Sequence, residues 1–526
     1  MDNKIYTYDS TLRDGSQAEG ISFSLDDKLK IAYKLDSLGI DYIEAGNPAS
    51  NPKDLEFFNL IGSGSLKHAK LVAFGSTHRV GVNVEQDENV ISLLRANTPV
   101  VAIFGKSWDL HVKDILKTSM KNNLEIIKNT VRYFKQNGKE VIFDAEHFFD
   151  GYKHNPAYAI QTLLAAQDAG ADWLVLCDTN GGCFTDEISE TVRIVKEKTS
   201  CRLGIHCHND CGMGVANSVM AVIAGVNQVQ GTVNGFGERC GNANLFNVIA
   251  NLQLKRGYSC IPSENMENLT NAARYVSELA NTAYDERQPY VGGSAFAHKG
   301  GMHIDGVHKN PKTFEHTNPE TVGNHRRFLM SEVSGRSTIL QAIHTVDPLV
   351  DKSSSKTKEI MNKIKQLEYE GYQFEGAEAS VELLIRKALN KYKPFFSLHQ
   401  FKVSIDEPCG SKYSSFALVK IDVDGKLEIN AAEGEGPVNA LDKALRKALE
   451  VFYPGLSKVR LTDYKVRVLD SHDATAAKVR VLIESSDGVH KWSTIGVSTD
   501  IIEASWRALV DSVEYKLILD TKNTIA

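Results

Sequence analysis

No run of this sequence approaches the roughly 18 consecutive apolar residues that a membrane-spanning helix needs, and no C-x-x-C pair occurs among its eight cysteines. An excess of basic residues is also missing: 60 Lys and Arg stand against 66 Asp and Glu, for a net charge of −6 with histidine neutral. That balance argues against nucleic acid and against a membrane surface as partners, because both attract concentrated positive charge. The start, Met1-Asp2-Asn3-Lys4, runs straight into a strand-like segment, so a secretory leader is not expected. Seven cysteines fall between Cys177 and Cys260, and the eighth is Cys409. That is too sparse for a disulfide scaffold, so reduced thiols and a cytoplasmic setting are expected. What remains is an ordinary globular composition, 42% hydrophobic and 24% charged over 526 residues. At that length about three to four domains are expected, with ample apolar residues for a large core.

The first 260 residues alternate short apolar runs with helical periods. The strand-like runs are 5–9, 41–46, 70–74, 100–104, 141–144, 173–178, 202–208 and 228–235. Between them Leu25, Leu29, Ala32, Leu35 and Leu38 recur at spacings of three and four before Gly39, and 124–137, 157–169 and 186–198 repeat the pattern. Eight strand–helix units in about 250 residues is the arithmetic of a (β/α)8 TIM barrel, an α/β fold. The rival, a doubly wound open sheet, lacks its G-x-G-x-x-G after the first strand.

We divide the chain at 1–284 for the catalytic barrel, 285–394 for a small, mainly helical linker, and 395–526 for a C-terminal α+β domain. The Gly- and His-rich stretch 291–310 reads as loop, and helices are expected near 356–369 and 377–389, after the polar Lys352–Lys356 run. The last 130 residues repeat themselves with a period of about 64. Ala417, Val419, Ile421 and Val423 alternate before Asp424-Gly425, and Ala440, Ala444, Leu445 and Leu449 follow at helical spacing. Val479, Val481 and Ile483 alternate before Asp487-Gly488, and Ala504, Ala508, Leu509 and Val513 follow. Two β-β-β-α units are expected, forming a sensor or dimerisation domain.

Reacting groups in such a barrel lie at the C-terminal ends of its strands. There the sequence places Asp9 through Gln17, then Asp144 with Glu146-His147, then Asp178-Thr179-Asn180, then His206-Cys-His208-Asn209-Asp210, then Asn234 through Asn242. His206 and His208, two apart on a strand, point to one face. An isolated H-x-H is often only solvated surface. Asp14 leaves the first strand, which neighbours the last strands of a closed barrel. His206, His208 and Asp14, with Asn242, therefore form a candidate metal site with open positions, suited to Mn²⁺, Mg²⁺, Co²⁺ or Zn²⁺. Phe74, Phe104, Asp144 and His147 are candidate pocket walls, and Glu44 is expected to support the site without ligating.

The run Asp9-Ser-Thr-Leu-Arg13-Asp14-Gly15-Ser-Gln17 resembles the D-x-T-L-R-D-G-x-Q signature of the DRE-TIM metallolyases. The segments from His206 to Gly212 and from Gly231 to Asn242 resemble the Claisen-condensing signature of the isopropylmalate, homocitrate and citramalate synthases. The resemblance extends over the whole chain, including a C-terminal repeat like the leucine-sensing domain of isopropylmalate synthases. It implies condensation of acetyl-CoA with a 2-oxo acid and hydrolysis of the thioester, with pyruvate as the leading oxo acid and larger ones as the alternative. Lyase relatives share the barrel but lack the repeat.

On this resemblance Arg13 stabilises the forming alkoxide and Thr179 binds the oxo-acid carboxylate, and Thr179, Arg13 and Asp305 are the candidate substrate-binding residues. Thr179 could instead cap the next helix, and Arg13 and Glu146 could be structural ion-pair partners. The base is expected to be His303 of Gly301-Met-His303-Ile-Asp305-Gly306, supplied by the linker of a partner subunit in a homodimer. Its rival is His298 of Ala297-His298-Lys299-Gly300, in the same loop. Glu146 would assist by strengthening the imidazole or ordering the attacking water. Gly235, Gly237 and Gly241 would let backbone approach the ligand closely. In the C-terminal repeat, Gly434, Gly436, Pro437 and Asp500 mark small-residue helix entries that could cradle an amino acid, isoleucine being the expected effector. A non-catalytic amino-acid sensor with a retired barrel is the alternative of another class.

Overall fold

The computed structural model describes residues 3–61, 66–329, 336–351, 354–405, 414–469 and 477–525. Cys409 and the first two residues of the Lys352–Lys356 run lie outside the described residues. Eight parallel strands close into a barrel: β1 (Tyr6–Asp9), β2 (Tyr42–Gly46), β3 (Lys70–Ser76), β4 (Val100–Lys106), β5 (Glu140–Glu146), β6 (Trp173–Asp178), β7 (Arg202–Cys207) and β8 (Gln228–Gly231). Closure is made by β1 on β8, with Tyr6 opposite Gln228 and Asp9 opposite Gly231. The strands read as near-continuous apolar runs because both faces are covered. Outward residues such as Ile43, Ile103 and Phe143 pack under the surrounding helices, and inward ones such as Tyr8, Val72, Ala102 and Trp173 fill the interior.

The helices carry the stop signals that their sequences promise. In Leu25–Leu38, Ser24 Oγ accepts from the Asp27 backbone N–H and Asp27 accepts in return from the Ser24 N–H, while Gly39 ends the helix at φ 87°. The helix expected over 124–137 starts earlier, at Met120, because Ser119 caps it. The floor of the barrel is sealed by one acid. Glu140 accepts from Tyr42 Oη at 2.8 Å and Trp173 Nε1 at 3.2 Å, and pairs with Lys70. Chemistry is thereby left to the opposite mouth.

One strand is shorter than its sequence suggests. β8 ends at Gly231, and 233–235 turn through a short 3-10 helix in which Asn234 sits at φ 59°. The side chain of Asn234 donates to Ala273 O and Ser277 Oγ, which holds that turn.

Two compact units divide the chain, 1–296 with 317–326, and 297–316 with 327–526. In the second unit the stretch read as loop contains a helix, Gly301–Lys309, which buries Ile304 and Val307. The helices Ser355–Tyr369 and Glu378–Ala388 form as expected. The repeat folds as two three-stranded antiparallel sheets, Ser397–Ile405 with Ser415–Val423 and Lys426–Gly434, and Arg460–Val468 with Val479–Ser486 and Lys491–Ser498. Each is followed by its helix, Pro437–Glu450 and Ile501–Ile525, and Ala417, Val419, Leu445, Val481, Ile483 and Leu509 meet in one core.

Candidate active site

The short loop after β1 is organised from within. Asp9 accepts from the Thr11 backbone N–H and from Thr11 Oγ1, both at 2.9 Å, and Thr11 Oγ1 in turn accepts from the Val233 N–H at 2.8 Å. Burial pushes the Asp9 carboxyl up to about 7, so it sits largely neutral within this loop near pH 6. The next residues, Arg13 and Asp14, are thereby presented at the barrel mouth.

Asp14, His206 and His208 come together there. Asp14 Oδ2 lies 3.3 Å from His206 Nε2 and 3.9 Å from His208 Nε2. One potential ligand atom from each lies within 4.8 Å of the others. All three side chains are buried. Burial alone would raise Asp14, but Arg13 and the two imidazoles hold it well below the usual carboxylate range. Burial and the neighbouring His206 push His208 down to about 4, which keeps it neutral with a lone pair to offer. Asn242 stands opposite His208 in an isolated antiparallel bridge, and its Oδ1 and His208 Nδ1 are buried without hydrogen-bond partners. A carboxylate, two imidazoles and an unpaired amide oxygen fit a divalent cation with positions to spare. Gly241 makes this loop possible: it sits at φ 86°, and a Cβ there would lie 2.1 Å from Gly235 O.

A cavity of about 260 Å³ opens beside the cluster, lined by Arg13, Phe74, Phe104, Asp144, Glu146 and Thr179 among others. Arg13 Nε is held by Glu44 Oε1 at 2.6 Å, and its guanidinium lies 3.7 Å from the Phe74 ring centroid. Phe74 stacks on Phe104 at 5.4 Å. Glu44, which also accepts from Tyr8 Oη, is fully buried and supports Arg13 as expected. The ion pair of Arg13 is thus real, and the guanidinium still lines the cavity. Thr179 does not cap the next helix, which begins at Thr185 after Phe184. Its Oγ1 accepts from the His147 N–H at 2.9 Å, so its own hydrogen is left to donate. Glu146 lines the cavity and is paired with Lys106 Nζ. His147 does not line it; its Nδ1 faces Asp150. Asp144 does line it, and burial together with Glu44 pushes its carboxyl up to about 7.

Sequence reading missed several supporting groups. Gln230 meets His206, and Arg239 binds Asp210 through two nitrogens while donating to Thr179 O. Gln228 and Gln230, two polar residues on one face of a wholly buried strand, were the available signal.

The remaining candidates belong to the second unit. His303 stacks on Phe314 with centroids 4.2 Å apart, Asp305 pairs with Lys309, and His298 pairs with Glu315 at 3.1 Å. Gly434 ends its strand where a Cβ would lie 2.4 Å from Ala440 N, Gly436 precedes the helix, and Pro437 is its first residue. Asp500 Oδ1 accepts from the Ile502 N–H at 2.7 Å, capping the last helix. A larger cavity, about 840 Å³, lies in this unit, lined by Phe374, Leu384, Trp506 and Val510 with Lys363 and Arg507, and among the described residues no cluster of metal-ligating side chains falls in it.

A closed barrel with an Asp–His–His mouth, followed by a helical segment and a duplicated sheet–helix unit, defines a class. Residues 4–276 match the HMGL-like family, 290–371 the homocitrate synthase post-HMGL domain-like family, and 375–517 the LeuA allosteric (dimerisation) domain. The (R)-citramalate synthase of Aquifex aeolicus is 54% identical over 100% of both chains. That of Geobacter sulfurreducens is 54% identical over 97% of both. The 2-isopropylmalate synthase of Clostridium kluyveri is 31% identical over 99% of this chain and 98% of its own. The chain belongs to the (R)-citramalate synthase family within this HMGL-like class. Among the described residues no helix is long and apolar enough to cross a membrane.

Proposed function

We propose that this chain condenses acetyl-CoA with pyruvate and water to give (R)-citramalate and CoA. The observation that carries this is full-length identity of 54% to an (R)-citramalate synthase. The cavity beside the Asp14–His206–His208 cluster, narrowed by Phe74 and Phe104, suits a small methyl ketone.

Asp14, His206, His208 and Asn242 would hold the divalent cation, which when bound polarises the keto carbonyl as a Lewis acid. Arg13 offers fixed positive charge to the alkoxide that forms on that carbonyl. Thr179 donates its hydroxyl hydrogen to the pyruvate carboxylate, Arg13 offers it positive charge, and Asp305 of the linker segment is the further substrate-binding residue. His303, brought by the linker segment of a second copy, takes the proton from the acetyl methyl. The carbanion equivalent so formed bonds to the keto carbon, and the alkoxide takes up the proton that His303 removed. Glu146 orders the water that cleaves the C–S bond and releases CoA. In this arrangement 1–284 is the catalytic barrel, 285–394 the contributing linker and 395–526 the regulatory and dimerisation domain.

The match of 375–517 to an allosteric (dimerisation) domain supports a homodimer and an amino-acid effector, for which we propose isoleucine at the helix entries around Gly434, Gly436, Pro437 and Asp500. The test is release of free CoA thiol from acetyl-CoA with single 2-oxo acids. Pyruvate alone should be active. Preference for 2-oxoisovalerate or 2-oxoglutarate overturns the assignment, and silence with every acid favours a sensor. Adding Ile, Leu and Val to the active mixture reads the effector; no change with any of them removes it.

A further inference from the structure

His206 on β7 stands in register with Gln230 on β8. Gln230 Oε1 lies 3.0 Å from His206 Nδ1, and Gln230 Nε2 donates to Gln228 Oε1 at 3.2 Å and to Asp144 Oδ1 at 3.4 Å. All four side chains are buried, Gln230 at 1% exposure and Gln228 at 0%. In this structure the amide turns its nitrogen toward two side-chain oxygens and its oxygen toward the imidazole, while Gln228 Nε2 is buried without a hydrogen-bond partner. A carbonyl oxygen only accepts, so His206 Nδ1 must carry the hydrogen. With the ring neutral, the Nε2 lone pair faces the cluster, where Asp14 Oδ2 is 3.3 Å away. His208 is built differently, since its Nδ1 is buried without a hydrogen-bond partner.

We propose that Gln230 is a positioning residue of the metal site, locking His206 as the Nδ1–H tautomer while Gln228 and Asp144 keep the Gln230 amide the right way round. Partners of this kind fix ring orientation and raise the basicity of the ligating nitrogen. The proposal rests on the reading of Asp14, His206 and His208 as a divalent-cation site, and it places a direct link between a metal ligand and Asp144, a wall of the substrate cavity.

Two variants of the full chain separate a positioning role from simple filling of space. Gln230→Met keeps the length and loses both polar atoms, whereas Gln230→Glu keeps an acceptor for His206. Co²⁺ affinity, measured by competition with a chromophoric chelator, should fall about 10- to 100-fold in Gln230→Met and stay near wild type in Gln230→Glu. Unchanged affinity in folded Gln230→Met overturns the proposal, and so does an equal loss in both variants. If Gln230→Met does not fold, nitrogen NMR of histidine-labelled, cadmium-loaded wild type decides the matter. Cadmium coupling at His206 Nε2 with a proton on Nδ1 supports the proposal, and coupling at Nδ1 overturns it. Failure of the wild type to bind Co²⁺ at all is a separate outcome, and it overturns the metal-site reading beneath this one.

Discussion

Glu44 Oε1 holds Arg13 Nε at 2.6 Å while the ring of Phe74 supports the guanidinium from its face at 3.7 Å. One contact is directional and charged, the other broad and apolar, and together they fix a side chain that would otherwise sample many rotamers. Burial opposes the charge on Arg13, yet Glu44 and Asp14 more than compensate and keep it firmly protonated. Glu44→Ala would leave that buried cation only the more distant Asp14, 3.6 Å away. Unfolding by urea should show a loss of about 3–5 kcal/mol, and a loss within error would mean that the pair supports nothing.

Thr179 is poised by its own acceptor bond from the His147 N–H. Thr179→Ala should cut kcat/KM for pyruvate by about 10- to 100-fold, the cost of one hydrogen bond to a charged group. Thr179→Ser should restore most of it, because the hydroxyl returns to the same place. Steady-state kinetics on both variants checks this.

Removal of the cation should abolish turnover, and Asp14→Ala should abolish tight Co²⁺ or Mn²⁺ binding in a folded protein. Chelator titration with circular dichroism as the folding control reads both. Retained metal in Asp14→Ala contradicts the cluster.

His303 and His298 differ in their surroundings. His298 is engaged by Glu315 at 3.1 Å, whereas His303 rests on the Phe314 ring. His303→Ala should lower kcat by about 10²–10⁴, the usual worth of a general base. His298→Ala should act mainly on stability, seen as a lower melting temperature with kcat little changed. Reversal of the two effects would reassign the base.

Asp144 supplies a stability signature. Its folded-state value of about 7 lies above the ordinary carboxylate range, so between about pH 4 and 7 the native protein binds more protons than the unfolded chain. Stability from this group is therefore present at low pH and lost as pH rises through 7, at up to about 1.4 kcal/mol per pH unit. Urea unfolding of the metal-free protein from pH 5 to 8 should show that decline, and Asp144→Asn should make it shallower, Asp9 with its own value of about 7 supplying part of the remainder.

The barrel was legible because strands buried on both faces read as apolar runs, and the twin histidines because a strand alternates its side chains. β8 was over-read for a physical reason. Thr232 and Val233 have strand-like character, but the chain must turn at Gly231 to bring Asn242 back beside His208. The helix Gly301–Lys309 has no helical signature in the sequence because its glycines lower helix propensity. There packing prevails: Ile304 and Val307 are buried, and at Gly306 a Cβ would lie 2.5 Å from the Phe314 ring. Gln230 escaped because an uncharged amide carries no ligand pattern. Its role emerges only when β7 and β8 are laid side by side.

The mouth cluster joins the exit of β1 to the end of β7, and β1 is itself locked by β8. A growing polypeptide emerging from the ribosome therefore owns the carboxylate long before it owns the imidazoles. It cannot capture an ion until almost the whole barrel has been synthesised and shut. An ion that needs all three side chains would thus bind late in maturation and report a finished ring.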